Sequence, residues 1–253
     1  MYDKKKIAKK MLALLLAAAL AIAFNAPMTE ASSENIIVAV HGLTPTLNGA
    51  FESGEWNDAS NITVSITDGA SCTVYAKQDG TNLYAGFDIP DSTFNNSDCC
   101  ILIFDVDHDR NTSLQTDDVW FRISRIGATQ EYNVTAGGWF PTTVCGWTAK
   151  ANSTSTAWQC EYNITYAKLD VTAGGNKTLG VMFLIVDMDV DMGWYAWPST
   201  AGISEPAVWG DMSSNGYSWV PEFSTWISML LLFTMLTVAI GLYRRRLFER
   251  TLH

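Results

Sequence analysis

Histidine and basic residues are scarce in this sequence of 253 residues, which has three histidines and 16 lysines and arginines. The histidines, at positions 41, 108 and 253, belong to no Ser/His/Asp or Cys/His catalytic order, and no glycine-rich phosphate loop occurs. These absences favour a binding protein over an enzyme. Residues 32–220 include seven basic and 22 acidic residues, and seven minus 22 gives a net charge of −15. Because so acidic a surface repels phosphate backbones, the charge argues against nucleic acid as a partner.

Helical periodicity is also lacking between residues 35 and 210, where apolar residues recur at every second position instead. Leu83, Ala85, Phe87 and Ile89, for example, alternate with their neighbours in the way that is typical of a half-buried strand. The Asp-Gly pair at 79–80 stands between two such runs and predicts a tight hairpin turn. Many short strands predict an all-β fold, an antiparallel, jelly-roll-like β-sandwich over residues 32–212.

Cysteine is present in an odd number, five, so at least one thiol stays outside any disulfide within the chain. Cys145 and Cys160 flank a Ser/Thr/Asn-rich segment and could close a loop worth roughly 3 kcal/mol in the chain-entropy model. Cys99 and Cys100 are adjacent and would point to opposite faces of a strand. The sequence leaves the pairing open.

The first 31 residues have the pattern of a secretory signal peptide. Five lysines precede an apolar run from Met11 to Phe24, and Thr29 and Ala31 offer small residues for cleavage. The apolar run is shorter than the roughly 20 residues that span a bilayer. We therefore expect residues 1–31 to form a signal helix and the mature protein to be exported.

A second apolar segment lies near the end of the sequence, after a linker at 213–220. Residues 226–243 carry no charge and predict a transmembrane helix. Arg244, Arg245 and Arg246 follow it, so the positive-inside rule places the tail inside and the sandwich outside, at the cell surface.

The triad Pro221, Glu222 and Phe223 stands directly before this helix. Together with the helix and the arginine cluster, it resembles the three-part PEF-CTERM sorting signal of archaeal surface proteins. The resemblance implies that an archaeosortase-like enzyme recognises residues 221–253, cleaves near the triad and transfers the new C-terminus to a membrane lipid. The alternative is a retained single-span membrane anchor.

Asn-x-Ser/Thr sequons are more frequent than chance predicts, which favours a glycosylated surface protein over mere Asn/Thr richness of β-loops. The acceptors are Asn61, Asn95, Asn111, Asn133, Asn152, Asn163 and Asn176. Where they fall on clear strands, at Asn61, Asn133 and Asn163, they occupy the polar phase.

Several motifs occur in a characteristic order: "LNGAFESGEWNDASNITV", "NLYAGFDI", "ILIFDVDHDRN", "WQCEYNITY", "YAWPS" and "AVWGDM". This order resembles the family 9 carbohydrate-binding-module-like and DOMON-like β-sandwiches over residues 41–212. The usual Asp-Gly entry is Asn48-Gly49 here. The resemblance implies a sandwich fold and binding of an extracellular polysaccharide.

Alternate carboxylates in "DVDHDRNTSLQTDD" form the strongest local chemical pattern. A cation loop presents oxygens with this spacing, and Asp118 adds another after the turn. The loop is not an EF-hand, because Arg110 and Thr116 replace the expected glycine and glutamate. The alternatives are a calcium site of another geometry and a solvated acidic turn. The candidate ligands are Asp105, Asp107, Asp109, Asn111 and Asp117.

Aromatic residues are the other candidates for ligand contact, because a ring in a loop or at a strand end can stack on a sugar. This set is Trp139, Trp147, Trp194, Tyr195, Trp197 and Trp209. From it we select Trp194 and Trp197. Trp56, Trp120 and Trp158 lie inside strand or entry motifs and are assigned to the fold.

Taken together, the sequence predicts a cell-surface protein that binds carbohydrate and calcium. Two alternatives remain. Some DOMON-like sandwiches hold haem, for which His41 or His108 with Met182, Met188 or Met192 could supply ligands. The other alternative is a purely structural surface-coat protein.

Overall fold

The computed structural model describes residues 35–66, 70–175, 177–189 and 193–214, and these residues form 14 strands. The strands are β1 Ile36–Val38, β2 Val40–His41, β3 Ser60–Ser65, β4 Ser71–Gln78, β5 Asn82–Pro90, β6 Cys99–Asp105, β7 Val119–Ser124, β8 Thr129–Thr135, β9 Gly138–Thr142, β10 Trp147–Ser153, β11 Ala157–Thr165, β12 Leu179–Asp187, β13 Gly193–Trp197 and β14 Gly210–Ser213. Two short 3-10 turns occur at Tyr166–Leu169 and Pro206–Val208. The all-β prediction is confirmed for the described residues.

The strands form two sheets. Sheet A has the order β1-β14-β12-β6-β7-β8-β9, and β13 pairs with β12 on the edge that β14 also uses. Sheet B has the order β10-β11-β5-β4-β2, and β3 pairs with β4 on the same edge as β2. Apolar residues from both sheets meet in one core, so the two sheets pack face to face as a sandwich.

The sheets are mixed, whereas the sequence predicted an antiparallel sandwich. β1 runs parallel to β14 in sheet A, and β2 runs parallel to β4 in sheet B. The reason is that residues 36–41 pass from one sheet to the other. Ala39 N donates to Ser213 O at 2.8 Å, and Gly42 N donates to Gln78 O at 2.9 Å. Hydrophobic alternation cannot distinguish this parallel pairing from an antiparallel one.

The period-two pattern places its apolar residues in the core as predicted. Leu83, Ala85, Phe87 and Ile89 of β5 are all buried between the sheets. A pairing of Cys145 with Cys160 is wrong, because the β10–β11 register sets Cys160 opposite Ala151. Cys145 is six residues from Ala151 along the chain, which places it about 20 Å from Cys160.

The opposite face of sheet B is also covered, which alternation alone does not predict. Residues 42–59 lie over this face, and the buried side chain of Glu161 holds them. Its carboxylate accepts the N–H of Asn48 at 3.0 Å, the N–H of Gly49 at 2.8 Å and Nε1–H of Trp56 at 3.2 Å. The entry motif of the family resemblance is therefore a lid fixed to sheet B.

Lys77 holds the same lid from β4, which lies two strands away from the strand of Glu161. Its buried ammonium donates to Asp58 Oδ1 at 2.9 Å and lies 5.0 Å from the centre of a Trp56 ring. Gly86 lies beneath, and a Cβ there would meet the Trp56 ring at 2.9 Å, so only glycine leaves room for the indole. The assignment of Trp56 to the fold is confirmed.

Several predictions fall outside the described residues: the signal peptide 1–31, most of the linker 213–220, the C-terminal segment 221–253 and the sequon at Asn176. They stay predictions. In the part of the chain that the structure describes, no helix has the length and apolar character needed to cross a membrane.

Replacing Glu161 with alanine should detach the lid, because three N–H donors would lose their common acceptor. We expect Glu161→Ala to lower the free energy of unfolding by about 3 kcal/mol, as measured by urea denaturation. Glu52→Ala, in the exposed part of the lid, should change it by less than about 0.5 kcal/mol. Equal unfolding midpoints for the two variants would contradict this assignment.

Candidate functional site

The acidic loop between β6 and β7 brings its carboxylates together. One oxygen from each of Asp105, Asp107 and Asp109 lies within 4.8 Å of the other two. The same holds for Asp105, Asp117 and Asp118, so Asp105 belongs to both groups. Four of the predicted ligands thus converge, and Asp118 joins them.

The loop is shaped by backbone donors that bind its own carboxylates. Asp105 accepts the N–H of His108 at 2.6 Å and that of Arg110 at 3.1 Å. His108 and Arg110 have φ of 57° and 53°, in the left-handed region. Arg110 therefore makes the bend that glycine makes in an EF-hand, at a cost of about 1–3 kcal/mol. Asn111 turns its amide to Asp109, to which both its N–H and its Nδ2 donate.

Gly180 provides the space for Asp105 on the neighbouring strand. The two residues are partners in the β6–β12 register, and a Cβ on Gly180 would lie 2.7 Å from Cβ of Asp105. Sequence reasoning missed this residue. A glycine inside the strand pattern "TLGVMFLIV" is the signal that could have found it.

The carboxylates of the loop repel one another. Burial, followed by the charges of Asp117, Asp105 and Asp109, raises the pKa of Asp118 to about 7. Burial and the neighbouring Asp117 also raise the pKa of Asp107. A cation placed among these groups would reverse both effects.

The basic residue of the loop does not neutralise this cluster. The Arg110 guanidinium pairs with Asp211 of β14, and His108 Nε2 lies 2.9 Å from the same carboxylate. A second acidic group, Asp91, Asp98 and Asp189, differs in this respect. There, Nη1 of buried Arg125 lies 2.6 Å from Asp91 and 3.2 Å from Asp98. The protein therefore supplies its own cation to Asp91 and Asp98, whereas Asp189 Oδ2 is enclosed without a hydrogen-bond partner among the described residues.

The predicted aromatic pair is divided between the two faces of β13. Trp194 pairs with Val186 on the outer face of sheet A, the side away from the sandwich core, and 53% of its surface is exposed. Trp197, three residues on, packs on the core side with its ring centre 5.6 Å from that of Phe183. Because neighbouring strand residues alternate between faces, these two rings do not form one surface.

A strip of partly exposed side chains lies across β7, β8 and β9 on the same outer face. We call Trp120, Arg122, Gln130, Tyr132 and Trp139 the outer strip. The Trp120 ring lies 5.0 Å from Tyr132 and 5.6 Å from Trp139, between centres. Arg122 Nη1 donates to Gln130 Oε1 at 2.7 Å, and the Tyr132 hydroxyl donates to the same oxygen at 3.3 Å.

Trp194 and Arg122 face each other across a short stretch of sheet. Three strand spacings, about 14 Å, separate β13 from β7. Residues 198–209 connect β13 to β14 and cover the other end of the outer face of sheet A. Trp139 Nε1 donates to Ile203 O in this segment at 3.0 Å.

Two further tryptophans from the candidate set are buried and serve the fold. Trp147 Nε1 donates to buried Glu131 at 2.8 Å, and Trp209 Nε1 donates to Gly202 O at 2.8 Å. Trp120, assigned to the fold, is only half-buried, and in the part of the chain that is described its enclosed Nε1 has no hydrogen-bond partner.

The six described sequon asparagines are all at least partly exposed. Asn61, Asn152 and Asn163 lie on the outer face of sheet B, and Asn95 and Asn111 lie in loops. Asn133 was predicted to point outward, but it lies on the same face of β8 as buried Glu131. Glu131 occupies the inner side because Lys168 and Trp147 bind its carboxylate.

The suggested haem ligands that the structure describes, His41, His108, Met182 and Met188, do not come together in one pocket. His41 is exposed on short β2, and His108 is engaged with Asp211. Met182 is buried in the apolar layer on the outer side of sheet A, as expected for a packing residue, and Met188 packs against the same layer. Met192 lies outside the described residues.

Comparison with protein-family models gives no match, and a search of curated proteins gives none. Among solved structures, a family 9 carbohydrate-binding module from Caldicellulosiruptor kristjanssonii in complex with cellotriose is similar, with a TM-score of 0.57 and 17% identity over 72% of this chain and 95% of that chain. The structure of such a module from the same organism with glucose matches with the same score and identity over 97% of its chain. A proposed carbohydrate-binding protein from Bacteroides uniformis is also similar. It matches with a TM-score of 0.51 and 11% identity over 72% of this chain and 99% of its own. These likenesses confirm a sandwich like that of family 9 modules.

Proposed function

We propose that the sandwich binds carbohydrate on the outer face of sheet A, between Trp194 and the polar part of the outer strip. The observation that carries this proposal is the exposed Trp194 ring on the same face as Arg122, Gln130 and Tyr132. The ligands named for the similar solved structures, cellotriose and glucose, support the same class of ligand.

The chemistry of this face suits a sugar. The flat, exposed indole of Trp194 offers an apolar surface to the C–H groups of a pyranose ring. Arg122 and the amide nitrogen of Gln130 offer N–H donors to neighbouring hydroxyl groups. The Tyr132 oxygen offers an acceptor, because Gln130 Oε1 already accepts from Arg122 and Tyr132. The two sides lie about 14 Å apart at strand level, so a ligand in contact with both would have to span about that distance.

The opposite side of the sandwich is less suitable. The lid formed by residues 42–59 covers part of the outer face of sheet B, held by Glu161 and Lys77. Three sequon asparagines occupy the same face, and glycans on them would screen it. The proposed ligand site and the proposed glycans therefore use different faces.

Calcium binding at the acidic loop is part of the proposal. Asp105, Asp107 and Asp109 supply converging oxygens, and Asp117 and Asp118 approach from the end of the loop. β7 begins at Val119, directly after Asp118, and carries Trp120 and Arg122. A cation in the loop would thus fix the strand that presents half of the sugar site.

In its cellular setting, this domain would be an exported, glycosylated surface protein that binds an extracellular polysaccharide. Its C-terminal segment 221–253 would be processed by an archaeosortase-like enzyme, or else kept as a membrane anchor. A haem-binding surface redox protein is less well supported, because the described histidines are exposed or paired. A surface-coat role remains an alternative that the sugar-binding experiment distinguishes.

Removing the exposed indole should weaken sugar binding. We expect Trp194→Ala to reduce affinity for the best oligosaccharide of a glycan panel about tenfold, by isothermal titration calorimetry, with little change in melting temperature. Phe140→Ala is the matched control, because Phe140 is 52% exposed but pairs with Asn133 on the other phase of sheet A. Absence of binding to every glycan, or equal losses in the two variants, would refute the site.

Calcium should stabilise the protein most at high pH. Because the folded pKa of Asp118, about 7, lies above the unfolded value of about 3.9, its stabilising contribution is complete below about pH 4 and is lost as pH rises through 7. Above pH 7 the ionised Asp118 carboxylate destabilises the folded state, and bound calcium offsets this destabilisation. The calcium-induced rise in melting temperature should therefore be larger at pH 8 than at pH 5.

Asp118→Asn should flatten the pH dependence of melting measured in chelator, because asparagine does not titrate. Its side-chain oxygen still accepts the N–H of Gln115, so the loop should keep its structure. Exposed Asp170→Asn is the control and should leave it unchanged. Identical melting in calcium and in chelator at pH 8 would exclude the cation site.

The C-terminal processing has a direct test by mass spectrometry of the mature protein from its native membrane. A C-terminus near Pro221 that carries an added mass is expected, because cleavage and lipid transfer leave that product. Recovery of peptides from Arg244 to His253 in most molecules would leave only the retained anchor.

A further inference from the structure

The few basic residues of the sandwich are mostly neutralised by carboxylates. Residues 32–220 contain seven lysines and arginines against 22 acidic residues. Within the described part of the chain, five of the seven form ion pairs, namely Lys77, Arg110, Arg125, Lys168 and Lys177. The other two, Arg122 and Lys150, have no carboxylate partner among the described residues.

Arg122 differs from Lys150 because the fold holds its charged end in place. Lys150 is exposed on β10, where water surrounds its ammonium. Arg122 is half-buried, and its Nη1 donates to Gln130 Oε1 at 2.7 Å. The Tyr132 hydroxyl donates to the same oxygen at 3.3 Å. The guanidinium is thus oriented by a neutral acceptor, and a partly desolvated cation without a counter-ion is costly.

The outer strip carries no charge apart from this guanidinium, and Trp194 on the same face is neutral as well. The acidic residue of β8, Glu131, lies on the opposite side of that strand, where Lys168 binds its carboxylate. An acidic domain therefore presents a positively charged spot on the face that we assign to the sugar.

We propose that the oligosaccharide bound on this face carries a carboxylate and that Arg122 supplies its counter-ion. This inference rests on the proposed sugar site. A guanidinium presents its N–H donors in a planar fork that matches the two oxygens of a carboxylate, and such charge-assisted bonds are about twice as strong as neutral ones. The ligand class that follows is a saccharide containing a uronic acid.

The charge of the remaining surface restricts how many carboxylates the ligand carries. Residues 32–220 have a net charge of −15, so a polymer with an acid on every unit is repelled along most of the domain. A single acid among neutral units meets Arg122 without that penalty. Because about 14 Å separates the strands of Trp194 and Arg122, the stacked ring and the acid belong to different units of the chain.

The first test uses matched pairs of oligosaccharides, each neutral compound beside the same compound with one primary alcohol oxidised to a carboxylate. Isothermal titration calorimetry should show about tenfold tighter binding of the acid form for the best pair, and this preference should shrink as salt is raised. Equal affinities, or tighter binding of the neutral form, overturn this inference and leave the sugar site standing. Binding of neither form overturns both.

The second test assigns the preference to one side chain. Arg122→Gln should abolish it, and Arg122→Lys should keep only part of it, because the charge remains but the planar fork is lost. Lys150→Gln removes the same charge from β10 and should keep the full preference.

The ratio of the two affinities is compared within each variant, so a less stable variant stays informative. A preference that survives in Arg122→Gln contradicts the role of Arg122. A preference that is lost equally in Lys150→Gln assigns it to net charge and contradicts that role too.

Discussion

The carboxylate of Glu161 lies fully buried on sheet B and binds the backbone of a segment more than 100 residues earlier in the chain. Such a buried acceptor is stable only while its donors stay in place, so lid and sheet depend on each other. The consequence extends over the whole sandwich. Residues 42–59 cover part of the outer face of sheet B, and the proposed sugar site lies on the outer face of sheet A.

Two acidic clusters show how the surroundings, rather than the number of carboxylates, decide the chemistry. Arg125 lies among Asp91 and Asp98 and fixes a structural network. In the loop after β6, Arg110 turns instead to Asp211, so Asp105 and its neighbours keep an excess of negative charge. That excess is costly unless a cation enters, and the same loop leads directly into the strand of Arg122.

Sheet A separates two tasks by the alternation of its side chains. The inner phase of β6 and β12 builds the core with sheet B, and the outer phase builds a second apolar layer under residues 201–209. Trp194 and Trp197 show the rule at one strand, since three positions apart means opposite faces. Adjacent Cys99 and Cys100 follow it as well, since Cys99 joins the outer layer and Cys100 joins the core shared with sheet B.

The sequence by itself determined the all-β class, the strand phases of β3, β5 and β11, the structural role of Trp56 and the convergence of Asp105, Asp107 and Asp109. Each of these depends on neighbours close in sequence, where alternation, turn residues and ligand spacing act directly. Only the tertiary structure decided the parallel pairing of β1 and β2, the burial of Trp147 and Trp209, and the inward turn of Asn133. It also decided that Arg110 pairs with Asp211 and that Arg122 lies on the face of Trp194. These outcomes depend on contacts between residues far apart in the chain, where burial and hydrogen-bond partners override the local pattern.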